Sequence, residues 1–79
     1  MPSVQRLSNS TVYVHARREH PPPHFHVIGP GWEIKIETRT FKVIRGDAPR
    51  SDLAGIKQYW ATHAQLLLDK WDEYNERDP

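Results

Sequence analysis

Residues 24–37 read HFHVIGPGWEIKIE, and two runs of strict alternation on either side of one turn decide the fold. Before the turn, Phe25 and Val27 fall on one face, and His24, His26 and Ile28 on the other. After it, Trp32, Ile34 and Ile36 share a face, opposite Glu33, Lys35 and Glu37. Gly29-Pro30-Gly31 is turn chemistry: Pro fits the second position, and Gly31 the third, where φ is often positive. The pattern predicts a hairpin of strands at 24–28 and 32–38. However the turn closes, His24 and His26 stay on the face of Glu33, Lys35 and Glu37.

Outward from the hairpin the same period recurs. TVYVHAR at 11–17 puts Val12, Val14 and Ala16 opposite Tyr13, His15 and Arg17. The prolines at 21–23 then interrupt pairing, because Pro fixes its own φ and has no N–H to donate. After a short turn at Arg39–Thr40, FKVIR at 41–45 alternates again, and Glu37 can face Lys42 across it. Residues 3–10, SVQRLSNS, have no clear strand character. The reading is an antiparallel meander of three to four strands.

The period changes beyond it. Leu53, Ile56, Trp60, Ala64, Leu67, Trp71 and Tyr74 recur three or four apart, which predicts one amphipathic helix over 49–75. Asp47 or Ser51 is positioned to cap it, with Pro49 in the first turn. Thr62 and Gln65 have the spacing of a second cap, so 62 is where a break would fall. The helix stripe needs an apolar face, and the strands offer Val12, Val14, Phe25, Val27, Ile34, Ile36, Phe41 and Val43. The expected fold is therefore α+β: a small antiparallel sheet packed on one long C-terminal helix, with residues 1–79 forming a single domain.

Seventy-nine residues support one small core. The chain has no Cys, which excludes disulfides and thiolate metal sites. No run has the length of a membrane span and no signal-like stretch follows Met1, so a cytoplasmic location is expected. Net charge is +1, but unevenly spread. Residues 1–50 carry eight Lys/Arg against four acids; residues 51–79 carry three against six. The first half is suited to meeting phosphate and the second is not.

Under strand parity, His24 and His26 stand together on the face the helix leaves open, about 6.6 Å apart along the strand. Two chemistries fit that spacing. The pair can flank a phosphate as general acid and general base, since imidazole takes either protonation state near neutrality. That would be a metal-independent ribonuclease, with Tyr13, His15, Arg17, Arg18 and Lys35 as phosphate- or partner-binding groups. Alternatively, His20, His24, His26 and Glu33 can hold Zn or Ni. A cofactor is otherwise not expected. A third reading gives the histidines no chemistry and the prolines the task of protecting an edge strand. An exposed edge strand also allows a dimer.

The motif resembles that of the small bacterial proteins described as domain of unknown function 4160. Their His-x-Pro-Pro-His-Phe-His-Val core matches His20, Pro22, Pro23, His24, Phe25, His26 and Val27, and their Met-Pro start is also present. A helix start with Pro, a helical His and a later Trp look like Pro49, His63 and Trp71. Where family members often carry Asp before the motif, this chain has Arg17-Arg18-Glu19. The resemblance implies a member of a two-gene, toxin–antitoxin-like module. A small protein encoded nearby would be its partner, and the histidine face would serve that partner or RNA.

Overall fold

A computed structural model of the chain describes residues 3–14 and 22–75. The elements run β1 (Ser3–Arg6), β2 (Thr11–Tyr13), β3 (His24–Gly29), β4 (Trp32–Glu37), β5 (Val43–Gly46) and α1 (Arg50–Asn75). Five strands form one sheet in chain order, each antiparallel to the next. The α+β meander under a C-terminal helix is as the alternation predicts, with one strand more. That strand is β1. It escapes a reading by pattern because it is a polar edge in which Val4 alone is half-buried.

The central hairpin pairs His24 with Glu37, Phe25 with Ile36, His26 with Lys35, Val27 with Ile34 and Gly29 with Trp32. Gly31 sits at φ 77° after Pro30, as the turn requires. Val12, Val14, Phe25, Val27, Ile34 and Ile36 share one face and form the core with Ile56, Leu67 and Trp71 of α1. These are the residues the two periods select. β2 ends at Tyr13, short of the predicted 17; residues 15–17 lie outside the described set.

Two expectations are corrected at the other edge. β5 begins at Val43, not at residue 41. Phe41 instead lies in the turn at φ 63°, a backbone region that bulky side chains rarely enter. Its ring packs on Trp60, centroids 5.2 Å apart, and the Trp60 indole N–H donates to the Thr38 carbonyl at 2.6 Å. Val43, expected in the core, is 41% exposed, because α1 runs over β3 and leaves β5 uncovered.

The helix opens on Pro49, whose carbonyl accepts the Leu53 N–H at 2.9 Å. Pro49 therefore takes the cap position considered for Asp47 or Ser51. α1 is interrupted near the position that the Thr62–Gln65 spacing marks: it kinks at His63, where φ and ψ are −126° and 16°. The imidazole of His63 stacks on Tyr59 at 4.2 Å, with planes 10° apart. Its Nδ1 lies 2.8 Å from the Thr62 hydroxyl and 3.0 Å from the Tyr59 carbonyl.

Candidate functional site: a basic row across the sheet

Parity places His24 and His26 on one face, and their rings meet edge to face, 5.2 Å between centroids. That face is not open at His24. The expectation of two outward-standing rings is corrected: His24 is 4% exposed and His26 8%. The ring of His24 packs on Trp71 of α1 at 4.8 Å, and its Nδ1 donates to the Pro22 carbonyl at 2.9 Å. His24 opens β3 at the end of the sheet, where the distal half of the long helix reaches it. Rings in mutual contact leave no slot between them for a phosphate, so this geometry does not support the acid–base pair.

The polar face continues away from His24. Directly paired residues run Tyr13 to His26 to Lys35 to Arg45, across β2, β3, β4 and β5. Three strand spacings make the row about 14 Å long. His26, Glu33, Lys35, Arg45 and Gly46 line a recess of about 250 Å³ at its β5 end. Glu33 Oε2 lies 3.6 Å from His26 Nδ1, too long for a hydrogen bond but an ion pair when the ring is charged.

Arg45 is the residue sequence reasoning missed, and the reason is a bulge. Glu37 N–H donates to the Lys42 carbonyl, and Ile36 pairs with Val43. Strict alternation from there would set Ile44 opposite Lys35. The register shifts by one between Lys35 and Ile36, so Arg45 takes that place. Gly46 is the sequence signal of the shift, since glycine within a strand pattern marks bulges and close approach. It sits at φ 80°, and a Cβ there would overlap the Glu33 carbonyl oxygen.

Of the other residues considered for phosphate, Tyr13 and Lys35 are in the row, whereas His15, Arg17 and Arg18 lie outside the described residues. So does His20, on which the metal reading leans. Among the described residues no three His, Asp or Glu side chains converge as a metal site. None of the described helices is long and apolar enough to cross a membrane.

A family model described as "Domain of unknown function (DUF4160)" matches residues 10–72. The chain belongs to the DUF4160 family. The match takes in β2 to β5 and α1 up to Asp72, and with them the whole basic row. No curated protein and no solved structure matches the chain.

Proposed function

We propose that this DUF4160 protein is the anion-binding member of a two-protein, toxin–antitoxin-like module, and that its basic row takes RNA phosphate. The observation that carries this reading is the direct pairing of Lys35 with Arg45. Like charges opposed across a ladder are destabilising. A bulge that brings Arg45 there, beside a recess that His26 also lines, makes sense where an anion bridges the two cations. Arg offers a fork to phosphate oxygens, Lys a point charge, and His26 a ring nitrogen at the recess. Tyr13 ends the row with a hydroxyl and an aromatic face. The proposal is binding, with no cleavage step, because His24 is packed under Trp71.

Fluorescence anisotropy with a labelled single-stranded RNA across a salt series tests it. Each phosphate contact contributes about 0.7 to the slope of log K against log salt. Lys35→Ala and Arg45→Ala should each lower the slope by about that amount, while Lys57→Ala on α1 leaves it unchanged. Absence of wild-type binding at low salt, or equal slopes in all three variants, overturns the reading.

A further inference from the structure

We propose that β5 is a docking edge for an extended, acidic segment of a partner protein. The strand is the last of the sheet and all four of its residues are exposed. Val43 and Ile44 are 41% and 43% exposed, two of the three large apolar side chains so exposed among the described residues. An edge strand offers unpaired N–H and C=O groups, and strand addition uses them for affinity and alternate side chains for selection.

Charge selects the occupant. A sixth strand laid against β5 would place a residue opposite Arg45, extending the row of Tyr13, His26, Lys35 and Arg45 by one. A carboxylate there meets Arg45 one strand away, with Lys35 one strand further along the row, and the recess lined by Arg45 and Gly46 lies beside it. Among the described residues no carboxylate is paired with Arg45 or with Lys42 at the start of the edge. A second copy is a poor occupant: antiparallel β5 strands would bring two Arg45 side chains into one four-residue ladder, with a Lys42 just before each strand. Cations and a bulge are devices that keep edges from pairing with themselves. An acidic partner strand cancels the first of these, and its apolar residues cover Val43 and Ile44.

The probe is a blocked hexapeptide of alternating Val and Glu, with a Val/Lys peptide as control. Binding is read by amide shifts and hydrogen exchange across the whole chain. The Glu peptide should slow exchange at Val43–Gly46 and bind roughly fivefold or more tightly than the Lys peptide. Arg45→Glu should reverse that preference, an outcome a misfolded variant cannot produce. Protection at β1 instead, equal response to both peptides, or no response to either overturns the proposal. Protection that rises with protein concentration alone would assign the edge to a second copy, and protection by RNA but not by peptide would assign it to nucleic acid; both overturn it. Such a failure is separable from the phosphate reading, which is tested by the salt dependence of RNA binding in the wild type and the Lys35, Arg45 and Lys57 variants.

Discussion

The hydroxyl of Tyr59 is buried with no hydrogen-bond partner, and burial pushes its pKa above the ordinary 10.0. The unfolded chain releases that proton near pH 10 while the folded chain retains it. The folded state therefore binds more protons there, and stability falls as pH rises through 10 toward the folded value. Tyr59→Phe removes both effects. It should stabilise the protein by roughly 1 kcal/mol at neutral pH, since an unsatisfied buried hydroxyl is costly. It should also flatten the alkaline decline in melting temperature; an unchanged decline would assign it to other groups. At this scale the sequence is partly legible. It names His24, His26 and Lys35 as neighbours on one face, because alternation is a local rule. It does not assign Arg45 to the row, because a bulge is a property of two strands together.

At the scale of elements, the informative contrast is between two glycines with positive φ. Gly31, at 77°, has open space around its Cβ position, whereas at Gly46 a Cβ would meet the backbone of Glu33. Gly31→Ala should cost about 1–2 kcal/mol, the strain of the left-handed region alone. Gly46→Ala should cost clearly more and release β5 from β4, because backbone cannot move aside as a flexible side chain can. Urea titrations rank the two, and faster amide exchange at Arg45 in the Gly46 variant locates the damage. Equal losses would mean that the close approach does not hold the edge. The strands with buried faces are legible in the sequence because burial imposes a hydrophobic alternation. The two edges are less so. β1 buries too little to show a pattern, and β5 is shortened by the turn that puts Phe41 at φ 63° and anchors it on Trp60.

Over the whole molecule, the long helix outruns the sheet. Twenty-six residues in α1 span about 39 Å, matching the longest dimension of 40 Å. The six-residue strands span about 20 Å. One part of the helix buries Ile56 over the sheet; beyond the bend at His63, Trp71 closes on His24 at the strand end. That contact makes His24 part of the packing between layers. His24→Ala should cost about 2 kcal/mol, or about 10 °C in Tm for a chain of this size. A double-mutant cycle with Trp71→Ala should show coupling of about 1 kcal/mol. Additive losses would separate the two rings energetically and return His24 to the surface chemistry of the sheet.

Alternation and helical period were enough to determine five of the six elements, the core and the common face of the two histidines, because each depends on residues a few positions apart. The added edge strand, the burial of His24 and the arrival of Arg45 beside Lys35 came from three-dimensional packing. They depend on how far a helix overshoots a sheet and on one extra residue in a ladder, and both are relations between segments that no single segment encodes.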